Sequence, residues 1–212
     1  SFAEVGASRG FSNPVPHRRM IVVDQNGDGL PDIHLLNQGT DAFLRNTGKG
    51  FDSIAAGIGL ALDGNSRDAA WSDFDNDGDL DVLVAGENGS GLQLQGADGT
   101  YAPSPDLENS EEATAAVVVG QNVLLGVMGP ISGLRYLLYG SDNEFPASRD
   151  NAWAAGFVDP GEASVLTAAD YDGDGDEDIY AANLTGQDRL YRNNGDGTFT
   201  SVEEEAGLGT LA

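Results

Sequence analysis

Asp24-Gln25-Asn26-Gly27-Asp28-Gly29-Leu30-Pro31-Asp32 places side-chain oxygens at positions 1, 3, 5 and 9 of a nine-residue stretch, with glycine at position 6. The pattern returns as Asp73-Phe74-Asp75-Asn76-Asp77-Gly78-Asp79-Leu80-Asp81 and as Asp170-Tyr171-Asp172-Gly173-Asp174-Gly175-Asp176-Glu177-Asp178. The starts lie 49 and then 97 residues apart, and 97 is close to two periods. A silent copy is therefore expected near residue 121. There, Val117-Val118-Val119-Gly120-Gln121-Asn122-Val123-Leu124-Leu125 keeps two apolar flanks around a turn but has no carboxylate. Fixed-period self-similarity of this length marks a repeat architecture.

A second signature follows the acidic stretch: Phe43-Leu44-Arg45-Asn46-Thr47-Gly48-Lys49-Gly50-Phe51, and again Leu190-Tyr191-Arg192-Asn193-Asn194-Gly195-Asp196-Gly197-Thr198-Phe199. Weaker forms run from Leu94 to Tyr101 and from Leu138 to Phe145. An apolar strand, a Gly/Asn turn and an aromatic opening the next strand form a hairpin signal. Each repeat then holds four short strands; in the second these are about Ala69 to Phe74, Asp81 to Ala85, Leu92 to Gln95 and Thr100 to Ala102. One small twisted sheet cannot bury both faces and must stack on its neighbours, so the chain is expected to be all-β: a β-propeller of four four-stranded blades, one lacking the acidic loop. Residues 1–212 form a single domain on this reading, with repeats at roughly 2–50, 51–100, 101–144 and 145–198 and a closing or surplus outer strand at 199–212. Phe2, Phe51, Tyr101, Phe145 and Phe199 give five opening aromatics for four sets of inner strands. The four blades thus close a ring by themselves or form part of a larger one, in which case a homo-oligomer is expected.

Ca²⁺ takes six to eight hard oxygens, and alternate residues of a tight loop turn their side chains to one centre. The expected ligands are Asp24, Asn26, Asp28, the Leu30 carbonyl and Asp32; Asp73, Asp75, Asp77, Asp79 and Asp81; and Asp170, Asp172, Asp174, Asp176 and Asp178. About three ions result. The loops resemble the start of an EF-hand but lack its Glu at position 12, where Leu35, Val84 and Ala181 stand as parts of a following strand. The alternative is solvated acidic turns chosen for turn chemistry. Thirteen aspartates occupy these positions, so much of the net charge of −25 is ligand charge, and three Ca²⁺ would bring it to −19.

These loops, the Leu190-to-Phe199 stretch and Asp68-Ala69-Ala70-Trp71-Ser72-Asp73-Phe74 resemble the FG-GAP/VCBS repeats of integrin-α-like propellers, closest to those found with the UnbV domain. The resemblance implies a propeller with calcium in the hairpin between the first two strands of a blade. It also implies that the loops entering strand one and joining strands two and three lie on the opposite face, around a channel. Members usually have seven blades, a count this chain does not reach, and their functions are mixed.

Ten Lys+Arg against thirty-five Asp+Glu exclude a polyanion such as nucleic acid as an expected partner. No apolar run is long enough to span a bilayer. Cysteine is absent, which excludes disulfides and thiol chemistry. A cysteine-free fold held by calcium is expected to be secreted or periplasmic. The scarce basic residues then stand out. His17, Arg18 and Arg19 are expected in the loop entering the first blade, Asn13 to Arg19, and Arg67 with Asp68 in the loop entering the second, Leu62 to Asp68; Arg18 and Arg67 each lie six residues before the first loop aspartate. Paired guanidinium groups at a channel mouth suit a carboxylate- or sulfate-bearing ligand, while intramolecular ion pairing is the alternative. Trp153, before a Gly/Pro-rich loop, could stack on a sugar, whereas Trp71 and His34 lie in runs expected to pack inside. The ligand set is therefore Arg18, Arg19, Arg67 and Trp153, and the expected function is an extracellular calcium-stabilised binding module for an acidic glycan, small molecule or protein. A cofactor-independent lyase, isomerase or cyclase using His17, Arg18, Arg67 and Asp68 is the other reading. GxSxG, HExxH and phosphate-loop motifs are missing.

Overall fold

In the computed structural model, residues 6–10, 16–109, 112–120, 122–127, 133–137, 152–158 and 161–208 are described. Phe2, Phe145 and the Leu138-to-Phe145 hairpin expected from the sequence lie outside them. The first sheet comprises β1 (His17–Val23), β2 (Asp32–Asn37), β3 (Ala42–Asn46) and β4 (Phe51–Ser53). After a single helical turn α1 (Ala55–Ile58), the second holds β5 (Ser66–Ser72), β6 (Asp81–Gly86), β7 (Gly89–Gln95) and β8 (Tyr101–Asn109). The third shows β9 (Ala113–Val119), β10 (Asn122–Val127) and β11 (Gly133–Leu137), and the fourth β12 (Ala163–Ala169), β13 (Asp178–Asn183), β14 (Arg189–Asn193) and β15 (Phe199–Ser201). Every sheet is an antiparallel meander in sequence order.

Three of the four connections between first and second strands are the acidic loops. In the third sheet the same connection shrinks to a two-residue hairpin, with Val119 opposite Asn122 and Gly120 at φ 61°. The silent repeat is thus a sheet whose loop has been cut to the minimum turn.

Between successive sheets lies one apolar layer. Leu36 and Phe43 meet Ala69, Val82 and Val84 between sheets one and two. Leu83, Ala85 and Leu92 meet Val123 and Leu125 between two and three, and Leu124 with Leu134 meets Leu166, Ile179 and Tyr191 between three and four. An inner sheet must be apolar on both faces, which is why β6 is buried at all six positions. The end strands differ: Met20 and Val22 on β1 are 53% and 58% exposed and Val165 on β12 is 43% exposed. First strands touch in the order β1, β5, β9, β12. Among the described residues no contact of that extent returns from β12 to β1. The observed arrangement is a propeller-like stack of four sheets.

Polar staples tie these first strands together. The buried Asp68 carboxylate on β5 pairs with Arg19 of β1 and accepts the Ala116 amide of β9, and the Thr114 hydroxyl of β9 donates to the Ala163 carbonyl of β12. A helical turn also locks onto each of three outer strands. Gly10, Gly59 and Gly156 have φ of 81°, 86° and 93°, and a Cβ there would lie 2.1, 2.4 and 2.1 Å from the carbonyl oxygens of Phe51, Tyr101 and Phe199. Only glycine permits both the left-handed backbone and the contact.

Trp71 and His34 pack as expected. Their rings lie 5.6 Å apart edge-on, with Phe43 at 5.8 Å from each. His34 is fully buried, and burial pushes its imidazole down to about 4, so it is neutral.

Candidate metal loops and binding face

The three acidic loops share one hydrogen-bond scheme. At position 1, Asp24, Asp73 and Asp170 accept the amides of positions 5 and 6 at 2.8–3.1 Å. Position 5 accepts the amide of position 7 through Asp28, Asp77 and Asp174 at 2.8–3.0 Å. At position 3, Asn26, Asp75 and Asp172 accept from position 5. The winding requires two left-handed residues, not the single glycine expected at position 6. Gly27, Asn76 and Gly173 at position 4 also have positive φ, and asparagine tolerates that conformation better than most residues.

Position 9 does more than complete a ligand set. Asp32, Asp81 and Asp178 are 0–1% exposed. One oxygen of each accepts the amide of position 2 (Gln25, Phe74, Tyr171), and the other accepts an amide at the end of the third strand (Asn46, Gln95, Asn193). These carboxylates staple the loop to its own sheet, while each oxygen keeps a further lone pair. Carboxylate oxygens of Asp73, Asp75 and Asp81 come within 4.8 Å of one another, as do those of Asp170, Asp172 and Asp174. Burial, with the charges of Asp77 and Asp73 beside it, raises the Asp75 carboxyl above the ordinary carboxylate range. Hard oxygens crowded at this spacing suit a divalent oxygen-seeking cation. Asp79 and Asp176 at position 7, and Leu30 in the first loop, have their amides turned to position 5, consistent with a backbone carbonyl as their contribution.

At the opposite end of the sheets, the basic residues lie in strands rather than in the expected loops. Arg18 and Arg67 occupy equivalent bulges, between His17 and Arg19 and between Ser66 and Asp68, and Ser164 fills the same bulge in the fourth sheet. A bulge re-aims its side chain, and both guanidinium groups reach Glu87 Oε1, at 2.6 Å and 3.1 Å. Arg67 also pairs with Glu112 at 2.8 Å. The two arginines are thus brought together, as their spacing predicts, and they meet on a carboxylate. With Arg19 on Asp68, three guanidinium groups face three carboxylates. Burial holds the Asp68 carboxyl up at about 6 against the pull of Arg19, and Arg18 lowers Glu87. His17 is exposed at the start of β1. Trp153 is 80% exposed on the helical turn before β12.

Sequence reasoning missed a cavity of about 510 Å³ at this same end of the second sheet, between the segment leading into β5 and the β6–β7 hairpin. Its wall includes Leu62, Asp63, Ser66, Asn88, Ser90 and Gln93. It also missed the chain Arg45 to Gln25 to Gln95, at 3.1 and 2.6 Å, which links the first two sheets beneath their loops.

Residues 24–84 and 170–211 match the model of the FG-GAP-like repeat. The two matched segments begin at Asp24 and Asp170, the first aspartates of the first and third acidic loops, and there the chain is similar to that repeat. No curated protein sequence matches it. Among solved structures, an Agrocybe aegerita lectin described for specific recognition of non-reducing terminal N-acetylglucosamine superposes with TM-score 0.51 and 20% identity, over 87% of this chain and 51% of the lectin. The Vibrio cholerae biofilm matrix protein Bap1 gives TM-score 0.49 and 17% identity, over 87% of this chain and 30% of that one. The chain spans about half the length of the lectin. The likeness to the lectin is one of fold. Among the described residues no helix is long and apolar enough to cross a membrane.

Proposed function

We propose that this chain is a calcium-stabilised, secreted or periplasmic binding module of FG-GAP-like repeats that recognises a glycan at the end of the sheets opposite the acidic loops. The carrying observation is the shared winding of three acidic loops, two of which bring three carboxylates within 4.8 Å of one another, while the position-9 aspartate of each is stapled to the sheet. A cation there relieves like-charge repulsion and joins first, second and third strands into one unit, leaving the other end free to carry a ligand. The lectin of similar fold binds a terminal sugar, which makes the same ligand class the first to test. Pairing of the three arginines with carboxylates removes their net charge, so the ligand is assigned as neutral rather than acidic.

Two experiments test this. Calorimetry with Ca²⁺ should show about three sites, and none after Asp73, Asp77, Asp170 and Asp174 are replaced by Asn together with Asp24 and Asp28. The calcium-loaded protein is then incubated with neutral and acidic oligosaccharides, with retained ligand and product mass both read by mass spectrometry. Retention without mass change supports the module. A new product mass assigns an enzyme instead, and retention of acidic sugars alone returns the ligand to Arg18 and Arg67.

A further inference from the structure

The turn that follows the fourth sheet is wound like the one that follows the first, yet no sheet lies against it. After β4, the Ile54 amide donates to the Phe43 carbonyl at 2.9 Å, the Ile58 amide to the Ile54 carbonyl at 3.1 Å and the Leu60 amide to the Ala55 carbonyl at 2.9 Å. After β15, the Val202 amide donates to the Leu190 carbonyl at 2.8 Å, Ala206 to Val202 at 2.9 Å and Leu208 to Glu203 at 2.8 Å. Gly59 and Gly207 close the two turns with φ of 86° and 77°. The first turn is in use: Gly59 abuts the Tyr101 carbonyl of the second sheet, and Ile58 and Leu60 are buried between sheets one and two. Its twin is idle. Gly207 has open space where Gly59 has a carbonyl, Ala206 is exposed, and Leu208 is 44% exposed where Leu60 is 0%. Leu208 thus forgoes the burial that holds Leu60.

The sheets at the two ends are unpartnered in a complementary sense. Ile21 and Val23 of β1 pack toward sheet two and Leu166 of β12 toward sheet three. Side chains alternate along a strand, so the exposed Met20 and Val22 point away from sheet two and the exposed Val165 away from sheet three. Inside the stack, the forward face of each sheet meets the backward face of the next. Ala69 and Trp71, which stand before Asp73 as Met20 and Val22 stand before Asp24, fill that backward role against sheet one. One forward face, on sheet four, and one backward face, on sheet one, are left over. The matching seat on sheet one is held only by the chain's own first turn: Gly10 abuts the Phe51 carbonyl, but the turn Ala7–Arg9 buries none of its residues.

We infer that the protein assembles head to tail with a second copy of itself. The turn at 203–208 of one copy takes the Phe51 seat of the next in place of the turn Ala7–Arg9, which acts as a removable cap. Leu208 then enters the new layer as Leu60 enters the first, and β12 with Val165 faces the strand that carries Met20 and Val22. A second copy is favoured over an unrelated partner because the two free faces repeat the pairing already made inside the stack. The two halves of the contact differ, so it is heterologous and adds copies around a ring or along a filament. Each copy carries a net charge of −25, so long-range repulsion opposes the contact and salt should tighten it.

Sedimentation velocity of the calcium-loaded full chain, at rising protein concentration and at low and high salt, reads the assembly. Wild type should pass from one chain to two or more, and more readily at high salt. Met20→Glu and Leu208→Glu each place a carboxylate in one half of the contact, on a residue exposed in the single chain, so each should fold normally and fail to self-associate. Mixed together, each variant offers the half that the other has lost, and pairs should reappear. Gly10→Ala makes the cap collide with Phe51 and should bring association to a concentration about tenfold lower, because the seat is vacated. A single-chain mass under all conditions overturns the inference and leaves the free faces to a different occupant. Self-association that survives both Glu variants, or a mixture that stays single, overturns the head-to-tail arrangement. Association unchanged by Gly10→Ala overturns the shared seat.

Discussion

At the scale of single residues, the aspartates of one loop have two separable tasks. Asp81 is buried and satisfies the amides of Phe74 and Gln95, while Asp77 is exposed and holds only its own loop. Asp81→Ala orphans two buried amides and should cost about 2–4 kcal/mol of stability even in chelator. Asp77→Ala should leave chelated stability within about 1 kcal/mol and remove one calcium site from the calorimetric count. Equal losses for the two variants in chelator would refute the division. Asp68 yields a pH signature. Burial raises its folded carboxyl from 3.8 to about 6, so the folded state holds a proton that the unfolded chain has released. Its contribution to stability is therefore present below pH 4 and is lost as pH rises through 6. In urea titrations, the stability of wild type minus that of Asp68→Asn should fall by about 2–3 kcal/mol between pH 4 and 7; a flat or rising difference contradicts the assignment.

At the scale of elements, the helical turns before the first strands carry more of the fold than their length suggests. Gly156 abuts the Phe199 carbonyl, whereas Gly207 has the same backbone, φ 77°, with nothing within 4 Å of its Cβ position. Gly156→Ala meets both backbone strain and collision and should lose more than about 3 kcal/mol; Gly207→Ala meets strain alone and should lose about 1 kcal/mol. Thermal melts of the two variants in calcium separate these cases, and equal melting temperatures would remove the docking role. The acidic loops and the four-strand period were legible in sequence because carboxylate phase and alternating hydrophobicity are local signals. Trp71 and His34 were legible too, since neighbouring repeats show apolar residues at their positions. The bulges were not. Arg18 and Arg67 read as loop residues because charged side chains break the apolar alternation, and only the ladder shows that the strand has already begun. The cavity was equally hidden: Gly86 looks like an ordinary turn residue until the register sets it opposite Ser66, as Asn37 stands opposite His17.

At the scale of the molecule, a chain with net charge −25 and no disulfide has gathered thirteen aspartates and Glu177 into three loops at one end. The repulsion this creates is concentrated where the first and second strands join, so calcium should stabilise the sheets unequally. Each ion at a hundred times its dissociation constant adds about 2.7 kcal/mol. The third sheet receives none directly, because its strands are joined through Gly120 and the residue after it instead of an acidic loop. Hydrogen exchange of the intact chain, with and without chelator, reads this sheet by sheet. Removing calcium should accelerate exchange by a factor of ten or more at the loop-facing ends of β1–β2, β5–β6 and β12–β13, where Val23 meets Asp32, Ser72 meets Asp81 and Ala169 meets Asp178. The corresponding end of β9–β10, at Val119 and Asn122, should change least, since its short hairpin carries no charge to repel. Uniform acceleration across all four sheets would mean that calcium acts on global stability through the stack rather than loop by loop, and would overturn this account.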